Sequence, residues 1–168
     1  DIPPYGGDTL FASLYNAYES LSPTMQGICE SLNVVHSAKF GYGDHMADLY
    51  EAVLENMDVK TGGEDANRLK THPMVTVHPE SGKKVLFITG IYSLAIEGMH
   101  LHESQLLLET LQTKIVENPL NLCRFRWEPG SMAMWDNRCV QHLPMADYQG
   151  QRREMLRTIV SGGVPTGV

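Results

Sequence analysis

Apolar positions in this chain recur mostly at every second residue, in short runs cut by Gly, Pro and Asn, and keep a helical spacing in only a few stretches. Leu10, Leu14, Ala17 and Leu21 form one stripe at that spacing and predict a helix over 10–21, capped by Asp8 or Thr9 after the Tyr5-Gly6-Gly7-Asp8 turn. Ser22-Pro23 opens a second helix to about Ser31, with Ser22 as N-cap and Pro23 in the first turn. Leu32 to His36, with Val34-Val35 at its centre, predicts a strand. Met74–His78 and Lys84–Thr89 flank Pro79-Glu80-Ser81-Gly82 and predict a hairpin. Glu103 to Val116 carries Leu106, Leu107, Thr110, Leu111 and Ile115 on one side and is the clearest helix. Asn121–Trp127, Met132–Trp135 and Arg153–Val160 alternate as strands.

Many short strands beside a few helices predict an α+β fold: a distorted jelly roll, in part, with the helices packed outside it. The 168 residues suit one domain, here the C-terminal portion of one. Between Phe40 and Lys70 the pattern changes. Glycines 41, 43, 62 and 63 bracket a polar stretch, helical over about His45–Met57, of the kind that forms lids or mobile loops.

Charge narrows the function classes. The net charge is −7 and Lys and Arg do not cluster, which argues against a nucleic-acid surface and against anionic membranes. No apolar run approaches the length of a membrane span. Cys29, Cys123 and Cys139 are odd in number without paired spacing, so a reducing, cytoplasmic setting is the simplest expectation.

The chemistry-bearing residues concentrate near the C-terminus: Trp135-Asp136-Asn137-Arg138, Gln141-His142, Arg153 and Arg157. On a regular strand Arg153 and Arg157 share a face, with Cα atoms about 13 Å apart. Two guanidinium groups facing an enclosed space would suit two separate anions. A neutral imidazole nearby could ligate a metal. Residue types alone favour a plainer reading, in which His142 is a hydrogen-bonded structural residue, the arginines a solvated face, and Tyr92 and Trp135 core aromatics. A hydrolase built on Cys139 and His142 is weaker still, because no oxyanion hole is placed.

An ordered set of motifs shifts that balance. Gly6-Gly7-Asp8-Thr9-Leu10, Thr71-His72-Pro73, His78-Pro79-x-Ser81-Gly82-Lys83, Trp135-Asp136-Asn137-Arg138-x-x-Gln141-His142 and Arg153-x3-Arg157 occur in the order and spacing of the taurine dioxygenase family of Fe(II)/2-oxoglutarate-dependent dioxygenases. The chain resembles that family over nearly its whole length, and least over 41–70. Within the family it lies near the alkylsulfatase and phenoxyalkanoate branches. The resemblance implies that His142 is the distal iron-binding histidine. It implies that Thr9 and Arg153 hold the far carboxylate of 2-oxoglutarate. By the same resemblance Arg157 holds the anionic group of the substrate, Tyr92 walls the substrate pocket, and Trp135 and Asn137 support His142.

The implied reaction uses O2, decarboxylates 2-oxoglutarate to succinate and CO2, and hydroxylates a C–H of a small organic carboxylate, sulfonate or sulfate. The implied partners are that substrate and O2, with a homo-oligomer left open. The family's other two iron ligands come from a His-x-Asp motif upstream of the Gly-Gly-Asp-Thr segment, and Asp1 lies too close to Gly6 to be that aspartate. His100-Leu101-His102 precedes the Glu103 helix, and His45 with Asp48 falls in the lid, so neither replaces it. One ligand of three predicts an oxygenase only as part of a longer polypeptide. The alternative is a truncated, non-catalytic fragment that binds anions or a partner subunit.

Overall fold

The computed structural model describes residues 1–48 and 61–168, and among these the strands are all paired antiparallel. The element order is β1 (Thr9–Ser13), α1 (Leu14–Glu19), α2 (Pro23–Glu30), β2 (Asn33–His36), α3 (Lys39–Tyr42), α4 (Glu64–Asn67), β3 (Lys70–Pro73), β4 (Val75–Val77), β5 (Lys84–Leu86), β6 (Ser93–Ile96), α5 (Leu101–Glu117), β7 (Leu122–Phe125) and β8 (Val140–Pro144). Single 3-10 turns span Asp44–Met46 and Pro119–Asn121. The α+β class expected from the sequence is therefore observed. None of the described helices is long and apolar enough to cross a membrane.

The strands form three small sheets, ordered β7-β1-β8, β3-β2-β6 and β4-β5. The core lies where α1, α2 and α5 pack against these sheets. Leu14, Ala17, Cys29, Val34, Met74, Val85, Leu86, Ile96, Leu111 and Ile115 pack as one buried cluster. Burial pushes the Cys29 thiol up to about 11, as befits an unreactive core cysteine. Helix α5 begins where the Glu103 carboxylate accepts from the His100 backbone N–H at 3.0 Å. Ser104, fully buried, ties the helix to β6: its hydroxyl accepts from Ile96 N at 3.0 Å. Asn121, also buried, donates to Ile115 O at 2.6 Å and so fixes the turn from α5 into β7.

Three expectations from the pattern are corrected. The helix expected over 10–21 is strand up to Ser13 and helix only from Leu14, with Ser13 rather than Asp8 or Thr9 as N-cap. The reason is tertiary: 9–13 lies between two strands, and pairing on both sides outweighs a helical apolar spacing. Met132–Trp135 forms no strand, and Met132 and Met134 are almost fully exposed. Arg153–Val160 forms no strand either. Alternation produces a strand only where a neighbour offers a hydrogen-bonding edge. Here Glu154 exchanges backbone bonds with Asp1 (3.0 and 2.9 Å), while Leu156 and Val160 stand exposed. Further on, Thr166 O accepts from Val77 N at 3.0 Å.

The hairpin, the second helix, the Val34-Val35 strand and the long helix are all found, with ends shifted by a few residues. Of the lid expected over 40–70, the described parts hold α3, α4 and the turn Asp44–Met46. Most of the helical stretch expected over 45–57 lies outside the described residues.

Two outcomes test this packing. Leu111→Ala should lower unfolding free energy by about 2–5 kcal/mol in urea denaturation, since the side chain is fully buried. Acidification should also destabilise the chain. Burial lowers the pKa of His36, and burial with the Lys70 charge lowers that of His72. The unfolded chain then binds protons first, so stability present above the ordinary value of about 6.5 is lost as pH falls through it. The urea midpoint should drop between about pH 7.5 and 5.5, and the drop should shrink in His36→Gln. A midpoint flat across that range would contradict the account.

Candidate functional site

The sheet β7-β1-β8 builds the site. Its register places Thr9 opposite Phe125 and Pro144, and Phe11 opposite Cys123 and His142. Residues directly opposite in an antiparallel pair share a face, and alternate residues on one strand do too. Thr9, Phe11 and His142 therefore project from the same face. Trp135 closes over them, with its ring centroid 5.1 Å from Phe11 and 4.9 Å from His142.

The start of β1 needs its two glycines. Gly6 and Gly7 both have φ near +70°, where other residues are strained. A side-chain carbon on Gly6 would lie 2.5 Å from Asp147 O, and one on Gly7 would lie 3.0 Å from Arg153 Cδ. Gly7 N donates to Asp147 Oδ1 at 2.8 Å, and Asp8 pairs with Arg124 at 2.7 Å. The chain is thus held as it enters the strand, and Thr9 follows at once.

Thr9 is buried, and its hydroxyl oxygen accepts from Trp127 Nε1 at 2.9 Å. The hydroxyl proton remains available to donate to an acceptor such as a carboxylate. His142 is half-buried. Burial lowers its pKa and the Arg157 charge lowers it further, so the imidazole is neutral at pH 7, the form a metal binds. Arg153 lies beside the entry to β1, where its Nε donates to Gly7 O at 3.1 Å and its guanidinium sits 5.7 Å from the Tyr148 ring centre. Arg157 is exposed and acts on His142 through its charge.

Thr9, His142, Arg153 and Arg157 thus gather around β1 and β8, although the regular strand expected to carry the two arginines does not form. Tyr92 has a different setting. Its ring stacks on Tyr42, with centroids 6.4 Å apart, and its carbonyl accepts from Ser37 N. A cleft of about 550 Å³ is lined by Pro3, Tyr5, Asp8, Arg124, Arg126 and Trp127 among others; Thr9, His142, Arg153, Arg157 and Tyr92 do not line it.

A second polar cluster was not expected from the sequence as a unit. His78, Asp136 and Cys139 bring potential metal donors within 4.8 Å of one another. Arg138 already occupies the carboxylate of Asp136, through Nε at 2.9 and 3.0 Å and an NH2 group at 2.5 Å, and holds its pKa far below the usual carboxylate range. A cation there would have to displace that guanidinium, which disfavours a metal site. The signal was present in two motifs, His78-Pro79-x-Ser81-Gly82-Lys83 and Trp135-Asp136-Asn137-Arg138. Their contact spans 58 residues and could not be read from spacing.

Comparison with known proteins identifies the family of the chain. The family model for taurine catabolism dioxygenase TauD, TfdA family, matches residues 1–159. An alkylsulfatase of Acinetobacter baylyi is 37% identical over 99% of this chain and 51% of its own length. A 2,4-dichlorophenoxyacetate dioxygenase of Cupriavidus pinatubonensis is 33% identical over 93% of this chain and 50% of its own. Among solved structures, a taurine dioxygenase from Burkholderia xenovorans is similar with a TM-score of 0.70 and 33% identity, over 89% of this chain and 44% of that one. The chain spans about half the length of the curated relatives it matches. By the extent of that match, the chain belongs to the TauD/TfdA family of dioxygenases.

Proposed function

We propose that this sequence forms the 2-oxoglutarate-binding half of an Fe(II)/2-oxoglutarate-dependent oxygenase that hydroxylates a C–H of a small organic carboxylate, sulfonate or sulfate. In this reading the three sheets belong to a distorted jelly roll. The observation that carries it is the shared face of Thr9 and His142 on β1 and β8, with Arg153 packed against Gly7 at the start of β1.

Each residue has a definite task. The neutral imidazole of His142 supplies one ligand to Fe(II). When bound, that metal activates O2 at the expense of 2-oxoglutarate. The Thr9 hydroxyl and the Arg153 guanidinium receive the far carboxylate of 2-oxoglutarate, one by a single bond and the other by a fork. Arg157, close enough to depress the His142 pKa, receives the substrate anion. Tyr92 lines the organic part of the substrate from the β5–β6 side. Relatives named for sulfate esters and for 2,4-dichlorophenoxyacetate, both anions, support an anionic substrate.

Metal binding separates His142 from the other histidines. Mn(II), added to this chain with 2-oxoglutarate, should broaden the imidazole resonances of His142 first and most, and those of His78, farther from the metal, less. Affinity should be weak, since one ligand of three is at hand, and His142→Ala should remove the broadening. Tight stoichiometric binding, or broadening centred on His78, would overturn the assignment. The arginines are separated by 2-oxoglutarate alone. Arg153→Ala should weaken its binding by about tenfold or more, as expected for a lost charge-assisted pair. Arg157→Ala should leave it nearly unchanged. Equal losses in both variants, read from NMR titration, would refute the division of roles.

A further inference from the structure

The cluster on Asp136 lies outside the residues that would touch metal, 2-oxoglutarate or substrate, yet it is the most heavily bonded polar group near them. Its carboxylate accepts from Arg138 N at 2.8 Å and from the Arg138 guanidinium at two nitrogens. Arg138 reaches on to Glu80 at 3.0 Å. His78, nine-tenths buried, faces Asp136 Oδ2 through Nε2 at 3.1 Å. The backbone N–H of Ser81 donates to His78 Nδ1 at 3.3 Å, so Nδ1 is the acceptor and Nε2 carries the proton toward Asp136. The Ser81 hydroxyl in turn bonds the Tyr15 hydroxyl at 3.0 Å.

These bonds join parts of the fold that the backbone leaves separate. His78, Glu80 and Ser81 belong to the turn of the β4-β5 hairpin, which shares no ladder with β7-β1-β8. Asp136 and Arg138 belong to the turn that leads into β8. That turn is itself closed by the Asp136 carbonyl, which accepts from Cys139 N and Val140 N at 3.2 and 3.0 Å. On either side of Asp136, the Trp135 indole N–H donates to Asn137 Oδ1 at 2.9 Å. The Trp135 ring then lies 4.9 Å from the His142 ring.

We propose that Asp136, gripped by His78 and Arg138, is a positioning residue that sets the Trp135 indole against the His142 imidazole and so fixes the plane of that ring. The metal role of His142 rests on the function proposed above; the positioning of its ring does not. An imidazole free to turn about its side-chain bonds must be ordered when a metal binds, and outer partners that pre-order a ligand commonly change metal affinity by about 10–100-fold. Asp136 does this through Trp135 rather than by touching the imidazole. The hairpin turn therefore acts as a remote anchor for the site.

The test reads ring geometry without metal. An indole at this distance shifts the imidazole protons of His142 by its ring current. At about pH 8, where the imidazole is neutral, Trp135→Leu sets the shift with no indole present. Asp136→Asn should carry the His142 resonances most of the way to that position while far-UV circular dichroism stays unchanged. His78→Ala should act in the same direction. His78→Gln, whose amide N–H can replace Nε2–H, should restore most of the shift. His142 resonances unmoved in folded Asp136→Asn would overturn the proposal. If Asp136→Asn does not fold, the His78 pair decides, and equal shifts in His78→Ala and His78→Gln overturn it. Failure of the metal assignment shows separately, as absent Mn(II) broadening at His142 in the unaltered chain.

Discussion

The structure depends most on the double pairing of β1. Its five residues, Thr9 to Ser13, pair with β8 on one side, and four of them, Thr9 to Ala12, pair with the whole of β7 on the other. This pairing converts a stretch with helical spacing into a strand. It also fixes register, and in a sheet a slip of one residue would send every side chain to the opposite face. Thr9 and His142 lie 133 positions apart in sequence, yet their common face follows from this register alone. The glycine pair before β1 and the Ser13 cap after it mark both ends, so the strand can neither extend nor slide without losing bonds already made.

Electrostatics reinforces that frame at its two ends. At the start of β1, Asp8 and Asp147 share Arg124, at 2.7 and 3.6 Å. At the start of β8, Asp136 and Glu80 share Arg138. Each guanidinium is partly exposed, so neither pair is a large source of stability. Their geometry matters more than their energy: a planar fork with fixed donors holds two loops at a set angle. Between the two ends lie the aromatic rings of Phe11, Trp135 and His142, a low-dielectric patch that keeps the imidazole uncharged.

Much of this was legible in the sequence, but unevenly. Local signals performed well. Ser22-Pro23 started a helix, Pro79-Glu80-Ser81-Gly82 turned a hairpin, and the apolar stripe over Glu103–Val116 marked the long helix. Signals that needed a partner performed poorly. Leu10 to Ser13 carried a helical spacing that two neighbouring strands overrode. Arg153 to Val160 carried strand alternation with no strand beside it to pair with. The residues around His142 were legible as an ordered set of motifs, and the structure gathers four of the five. The contact between His78 and Asp136 was not legible, because two motifs separated by 58 residues meet only after three sheets have packed.

Among the described residues the sheets keep open edges, with a consequence for handling the chain. The outer strands β7 and β8 flank β1; the chain exposes Leu143 within β8, and Leu156, Ile159, Val160 and Val164 beyond it. Unpaired strand edges close to exposed apolar residues act as templates for intermolecular pairing. At high concentration the chain is therefore liable to grow edge to edge into ordered aggregates. The protein's charge of −7 opposes this at low ionic strength, and added salt screens that opposition. Solubility should accordingly fall as salt is added.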